Sequence, residues 1–589
     1  MTSQSAPRKP MRLWPGVVLA ILLGLVRFLM PAVLPNLMVF GVLGGLAIGL
    51  AIVLWWLFFS RAPWLERLGA LALMVVALFG TRRLVDKSIA GGAMGMLFPI
   101  LAVPVVCLAF VACLVATRRL SSTARRVAIA ATILLASGVW TLIRTGGFTG
   151  DFRNDLGWRW AKTPEERLLA QSPDEFHPAL TSTVAQASSP ASLGGAPPPV
   201  STNQAEWPGF RGPNRDGIVH GVRIETDWSR SPPLQLWRKP VGPGWSSFAV
   251  SGDLLYTQEQ RGEEEVVACY NAAAGAPVWK HQDPCRFWES NGGAGPRATP
   301  TLNHGRLYTL GGTGMLNALD AANGSVLWSR NAASDTGAKL PMWGFAGSPL
   351  VISDLVIVAT SGKLAAYDIA TGQPRWFGPK GPEGYSSPQP LSTGGDTQIL
   401  HLSGSGLASV SALDGKVLWE HAWKGYPIVQ PAVSAEGDVF ISVNEKDGIR
   451  RLSLTHSDAG WTVQTRWTSP GLKPYFNDFV LHKGHAFGFD RSILACIDLE
   501  EGKRKWKGGR YGNGQLILLA DQDLLLVLSE EGEVALVAAG TEEFKELARF
   551  RALEGKTWNH PVLVGDRLLV RNAQEMAAFR LGLVSTGLQ

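Results

Sequence analysis

The spacing of hydrophobic positions changes near residue 150. Before it stand five largely apolar runs, at residues 13–33, 37–59, 68–84, 93–117 and 127–143. Each can cross a hydrocarbon core of roughly 30 Å as a helix, the third with help from its flanks. A cleaved leader cannot account for five runs, so they predict an integral membrane anchor. From residue 206 onward the apolar residues come in short alternating stretches bounded by Asp, Asn and Gly, which is the mark of strands and tight turns.

Within that second region a unit recurs. An apolar strand ends on Asp or Asn, Gly follows four residues later, and Trp four after that. Asp320, Gly324 and Trp328 form one copy; Asp368, Gly372 and Trp376 a second; Asp498, Gly502 and Trp506 a third. Asn271, Gly275 and Trp279, and Gly415 with Trp419, are looser members. In such a unit Asp bonds backbone N–H groups of a hairpin turn, Gly takes positive φ, and Trp on the following strand packs between neighbouring sheets. The marker aromatics Trp237, Trp279, Trp328, Trp376, Trp419, Trp467, Trp506 and Phe550 stand 39–49 residues apart, the length of one four-stranded propeller blade. After Phe550 only three strands remain, near 561–564, 567–571 and 576–581. A strand at 234–239 is left over at the start and supplies the fourth. The expected fold is therefore an all-β eight-bladed propeller of four-stranded antiparallel blades, its ring closed by both ends and leaving no open sheet edge. Seven blades stay open if the copy at Trp467 is not a true blade.

Between the two regions, Thr163, Pro164 and Glu166 form a helix start with a capping Thr, so a short helix over 163–171 is expected near the membrane surface. Residues 172–205 are rich in Ser, Ala, Pro and Gly and read as a flexible linker. The expected division is an anchor at 1–150, a juxtamembrane segment at 151–171, the linker, a propeller at 206–582 and a tail at 583–589.

Charge refines this picture. Residues 1–150 carry 14 Lys or Arg and only Glu66 and Asp86 as acids, while the remainder has a net charge of −5. The overall +7 belongs to the anchor, and a nucleic-acid partner loses its support. Nine basic residues (Arg8, Lys9, Arg12, Arg61, Arg67, Arg118, Arg119, Arg125, Arg126) fall on one side of the spans. Arg82, Arg83 and Lys87 fall on the other. That asymmetry puts the N-terminus in the cytoplasm of a bacterial inner membrane and the propeller in the periplasm. Arg27 alone lies well inside a span. It either marks a quinone or proton site or snorkels to the interface. Of five cysteines, Cys107 and Cys113 lie in an apolar run; Cys269, Cys285 and Cys496 read as buried small hydrophobes, with a Cys269–Cys285 bridge as the alternative.

The Asp–Gly–Trp blades resemble the PQQ-like (quinoprotein) repeat family, and residues 206–217, Glu206 to Gly217 with Arg211 and Arg215 between, are similar to the sequence that leads into its propellers. The layout of five spans followed by a propeller also resembles membrane-bound quinoprotein glucose dehydrogenases. The family further includes propellers without cofactor, such as an outer-membrane assembly lipoprotein, so the repeat leaves the chemistry open.

Residues just before each innermost strand should converge on one mouth of the central channel. They are Trp245, Ser246 and Ser247; Gly295, Pro296 and Arg297; Gly347 and Ser348; Ser386 and Ser387; Val429 and Gln430; Asn477 and Asp478; Gly514 and Gln515; and Trp558, Asn559 and His560. Were this a dehydrogenase, His560 or Asp478 would act as general base. Arg297 would hold the PQQ carboxylates, with Asn477 and Gln430 beside it. Trp245, Trp343 or Trp558 would stack on the cofactor, and Ca or Mg would accompany it. The same polar residues serve equally to satisfy backbone groups around a water-filled channel. The chain lacks the adjacent cysteine pair of the family's alcohol dehydrogenases, a haem CxxCH, a carboxylate–Asn–Asp calcium set and a GxSxG elbow, and no metal ligand is assigned. Gly311, Gly312 and Gly314 read as a turn between strands rather than a phosphate loop. The leading expectation is a binding or assembly scaffold whose partners are the bilayer and other envelope proteins. The rival is a PQQ dehydrogenase of sugars or alcohols that passes electrons to ubiquinone, which the five spans favour because one helix suffices for tethering.

Overall fold

A computed structural model describes residues 11–34, 37–149, 153–171, 177–178, 205–393, 396–444 and 446–584. The expected linker at 172–205 and the last tail residues lie outside them, apart from residues 177–178 and 205. The chain divides into two compact units, residues 1–161 with 289–293, and 162–288 with 294–589.

The first unit holds five helices long and apolar enough to cross a membrane: Trp14–Val33, Met38–Phe59, Trp64–Arg82, Leu97–Ala116 and Ser122–Leu142. The third and fifth begin earlier than the apolar runs, because Pro63 and Ser121 start them and Ser121 accepts the Ala124 N–H. The fourth begins later. Lys87–Gly95 forms a separate short helix under an Asp86 cap, and Gly92, Ala93 and Met94 leave helical geometry before the span. Buried Glu66, at the start of the third span, receives Arg125 at 3.1 Å and Arg126 at 3.0 Å from the start of the fifth. Arg27 lies in a π-helical turn, Leu25–Leu29, with its stem packed against Gly45. Beyond the fifth span the chain forms a hairpin, Ile143–Phe148 with Asn154–Trp158, that the sequence did not suggest.

The second unit is the propeller. Seven sheets each contain four consecutive antiparallel strands, and the eighth has three and closes with Leu234–Pro240 paired to Glu575–Arg580. The closing pair sets Trp237 opposite Ala578, so the N-terminal strand is the outermost strand of the last blade. Trp467 lies on Gly460–Ser469, opposite Arg451 in a complete sheet, so the seven-bladed alternative falls. Pro164–Ala170 starts under a Thr163–Glu166 capping box, as its sequence predicts. It is tied to the first blade, where Glu165 pairs with Arg286 at 2.7 Å and accepts the Gly262 N–H at 2.9 Å. Cys269 and Cys285 are both free thiols. Cys269 is buried inside a strand, and Cys285 instead faces Glu265 and Thr313.

The repeat works between blades rather than within them. Asp368 Oδ1 accepts the Ala370 and Thr371 N–H groups at 3.1 and 2.9 Å, shaping the turn that holds Gly372 at φ +69°. Trp328 of the preceding blade lies on that glycine and donates its indole N–H to the Ile369 carbonyl at 3.1 Å. The same lock joins Trp237 to Gly275 and Ala272, Trp279 to Gly324 and Ala321, and Trp467 to Gly502 and Leu499. Trp506 donates to the Gly540 carbonyl without lying on a glycine, the seventh blade has Phe550 in place of the indole, and Trp419 departs furthest. The next blade has a longer hairpin, Ile449–Ser457 with Gly460–Ser469, and Trp419 donates to Gln398 within its own blade instead.

A Cβ on Gly372 would stand 2.6 Å from the Trp328 ring, whereas one on Gly565 (φ +56°) meets nothing within 4 Å. Gly565→Ala should therefore cost only the left-handed backbone, about 1 kcal/mol. Gly372→Ala adds a clash worth a further 1–3 kcal/mol or so. Equal losses in denaturant unfolding would contradict the lock. Burial also pushes His401, opposed by the Gly362 backbone, down to about 4 from an ordinary 6.5. The unfolded chain then binds the extra proton between those values, so stability is full above pH 6.5 and falls as pH drops towards 4. Its size is on the order of 3 kcal/mol. His401→Leu should flatten that part of the stability–pH curve.

Candidate functional site

The residues ahead of the inner strands do form a ring, and it is a structural one. The Ser247 N–H donates to Thr299 Oγ1 at 2.9 Å, the Thr299 N–H to Ser348 Oγ at 2.9 Å, and the Ser348 N–H to Ser387 Oγ at 3.0 Å. Farther round, Asp478 N–H donates to Gln515 Oε1, Gln515 Nε2 to the Trp558 carbonyl, and Ser247 Oγ to the His560 carbonyl. At six of the eight junctions a polar side chain thus satisfies a backbone group of the neighbouring blade, the role that short polar side chains serve where a strand begins.

The axis inside this ring is occupied by the chain itself. Residues 207–219 cross it. Trp207 pairs with Val250 of the first blade, the Pro208 carbonyl accepts the Leu302 N–H of the second, and Ile218–Val219 lies parallel to Leu518 and Leu519 of the seventh. Between these ties, Arg211 and Arg215 adopt positive φ. Arg215 donates to the Pro349 and Ser348 carbonyls of the third blade, and its own carbonyl accepts from Gln430 of the fifth. Arg211 donates to the Phe479 carbonyl at 2.6 Å and lies 3.4 Å from Asp478 Oδ1.

Asp478 and His560, the residues expected to act as bases, do come together, with His560 Nε2 3.0 Å from Asp478 Oδ2. They meet inside the filled axis, however. Asp478 is 3% exposed, and the Phe210 ring packs edge-on to His560 at 5.0 Å. Burial pushes the Asp478 carboxyl up, but the Arg211 charge and the His560 hydrogen bond outweigh it and hold the group below its ordinary value. Arg215, with Arg211 nearby and Asp478 shared between them, is lowered to about 9, mainly by burial. A carboxylate so held is a counter-charge, not a base.

The mouth at the starts of the inner strands is aromatic. Trp245 meets Trp558 at 4.7 Å, Trp558 meets Phe476 at 4.8 Å, and Phe476 meets Tyr475 at 5.4 Å. Trp343 then joins Tyr475, Tyr385 and Tyr426 at 6.5, 5.0 and 5.7 Å. Lys556 lies over both Trp245 and Trp558. Tyr385, Tyr426, Tyr475 and Phe476 were not anticipated. Their signal is an aromatic residue four to seven positions ahead of an inner strand.

PQQ is a flat tricarboxylate that needs a slot between planar groups, cations for its carboxylates and oxygens for its metal. Trp245 and Trp558 close on each other at 36° instead of leaving a slot. Arg297 donates to the Ala294 and Gly295 carbonyls and lies on Phe287. Asn477 accepts the Tyr475 N–H, Gln430 is bound to the Arg215 carbonyl, and Trp343 is held within the aromatic cluster. No group of three His, Cys, Asp or Glu gathers among the described residues. The residues as placed do not fit the cofactor.

At the opposite end of the inner strands an open cavity of about 1880 Å³ flanks residues 205–216, lined among others by His304, Glu436, Arg451, His482 and Lys483.

Residues 263–508 match a family described as outer membrane protein assembly factor BamB. Over those residues the repeats resemble the PQQ-like family. A curated relative, outer membrane protein assembly factor BamB of Shewanella oneidensis, is 24% identical over 335 residues, 51% of this chain and 76% of that protein. Among solved structures, BamB from Moraxella catarrhalis is 15% identical over 59% of this chain and 98% of its own, with a TM-score of 0.44. Quinohemoprotein alcohol dehydrogenase from Comamonas testosteroni is 13% identical over 66% and 83%, with a TM-score of 0.49.

Removing the Asp478 charge should leave two buried guanidinium groups without the carboxylate that faces them. Asp478→Asn is therefore expected to cost about 3–5 kcal/mol in denaturant unfolding. Asp354→Asn, at an exposed pair with Arg375 (3.3 Å), should cost under about 1 kcal/mol. Similar small losses at both positions would show that Asp478 is solvated.

Proposed function

We propose that this chain is a membrane-anchored, PQQ-like propeller that acts as a binding scaffold in the assembly of envelope proteins, held in a bacterial inner membrane with its propeller in the periplasm. The filled axis carries this reading. The groups that would have performed a hydride abstraction are bound to one another and to Arg211, and Asp478 is buried among them. The assembly role is supported by the matched family and the curated relative, both described as outer membrane assembly factors. The orientation rests on the asymmetry of basic residues about the spans.

The aromatic mouth offers the partner surface. Tyr426 and Tyr475 are exposed beside Leu340 and Met342, and large aromatics carry disproportionate binding energy at such surfaces. A photo-crosslinking residue at Tyr426 or Tyr475 should trap a discrete envelope protein in living cells, whereas the same residue at exposed Leu413, on a rim turn, should not. Adducts from Leu413 alone would remove the mouth from the account.

The dehydrogenase reading retains one supporting observation, the five spans, and a direct test. The purified full chain, mixed with PQQ and Ca²⁺ or Mg²⁺, should show no bound-cofactor absorbance and no dye reduction with sugars or alcohols. Stoichiometric binding with turnover would replace the scaffold by the enzyme.

A further inference from the structure

The hairpin that follows the fifth span has no part in the propeller. Its register sets Trp158 opposite Ile143, the first residue beyond that span. The next residue fastens it there: the Arg159 N–H donates to the Leu142 carbonyl at 2.8 Å, and Arg159 Nη1 to the Leu84 carbonyl at 3.2 Å. Arg159 Nε stands 3.8 Å from Asp86, which caps the helix after the third span. Trp158 and Trp160 are thereby held level with the ends of the third and fifth spans.

Their rings stack 4.9 Å apart at 13°, yet they are 52% and 66% exposed. Leu84, Leu142 and Leu156 are exposed beside them. Stacked indoles flanked by leucines make an apolar face with two N–H donors, which matches the layer between acyl chains and headgroups. Arg82, Arg83, Lys87, Arg144, Arg153 and Arg159 lie in the segments at this end, against Asp86, Asp155 and Glu289 among the described acids. Three of these are the basic residues that fall on the minority side in the orientation count. Basic residues there oppose the usual asymmetry unless they have an anionic partner.

The geometry points to a lipid-reading element. We infer that the Trp158–Trp160 edge sits in the interfacial layer of the leaflet on the side where the fifth span ends, with the surrounding arginines recognising anionic phospholipid headgroups. This rests on the reading that the five helices cross a bilayer, and it adds a second contact with the membrane that fixes the depth and tilt of the anchor.

Nitroxide collision measurements on the full chain test it, in a Cys285→Ser background. Gly157→Cys places the label beside the indoles at a site with nothing within 4 Å of an added Cβ. Phe79→Cys, exposed on the third span, is the hydrocarbon reference, and Leu413→Cys, exposed on the propeller, is the aqueous one. In phosphatidylcholine–phosphatidylglycerol vesicles the ratio of oxygen to nickel-chelate collisions at 157 should lie several-fold above that at 413 and below that at 79. W158A/W160A should bring it down to the value at 413. Pure phosphatidylcholine should lower it part of the way. An aqueous value at 157 with a hydrocarbon value at 79 overturns the inference and leaves the spans standing; aqueous values at both overturn the spans and the inference with them. No response to the anionic lipid overturns headgroup recognition.

Discussion

Five of the eight junctions between blades rest on one contact: an indole laid on the bare backbone of a glycine in the next sheet. The two residues come from different blades, so each copy of the repeat faces both ways. Its turn receives a tryptophan from the blade before, and its own tryptophan, Trp419 excepted, goes to the blade after. Because Trp237 lies on the strand that completes the eighth blade and packs on Gly275 of the first, the lock also joins those two blades. Positive φ and the absence of a Cβ are both required at the same position, which is why glycine recurs there and not merely a turn-former.

A closed ring of eight blades leaves an axis wider than its own side chains fill. Here residues 207–219 fill it, bonded to inner strands of the first, second and seventh blades and reaching the third, fifth, sixth and eighth through Arg215, Gln430, Arg211 and His560. A polar channel lining that would otherwise be read as a reaction centre becomes a set of partners for this segment. The segment makes the axis rigid, and in the proposed function the faces of the propeller serve recognition.

The propeller was legible because its signal is local and repeated. Asp, Gly and Trp at fixed offsets specify a turn, a backbone conformation and a packed face together, and even the closing strand at Trp237 could be counted. The helix start at Thr163 was legible for the same reason. Span boundaries were less so, since caps such as Ser121 and breaks such as Gly92 lie outside the apolar runs. At the axis, the ring positions could be placed but their roles could not. Arg211 and Arg215 stood in view within a segment of Gly and Pro, yet nothing in their spacing says that they turn inward 260 residues away from Asp478 and neutralise it. Tyr426 and Tyr475 escaped notice because one aromatic ahead of each inner strand is visible only once the strands are aligned in space.

The account turns on residues 207–219 lying in the axis of the folded protein. Hydrogen–deuterium exchange of the full chain measures this directly. The amides of Trp207 and Gly217 bond the Val250 and Arg211 carbonyls, and the Gly217 carbonyl accepts from Leu518. They should exchange as slowly as the inner strand Gln515–Leu519 and far more slowly than the rim turn at Leu413. Exchange of 207–219 as fast as that rim turn would mean that the axis is open and that Asp478 and His560 face solvent, which contradicts it.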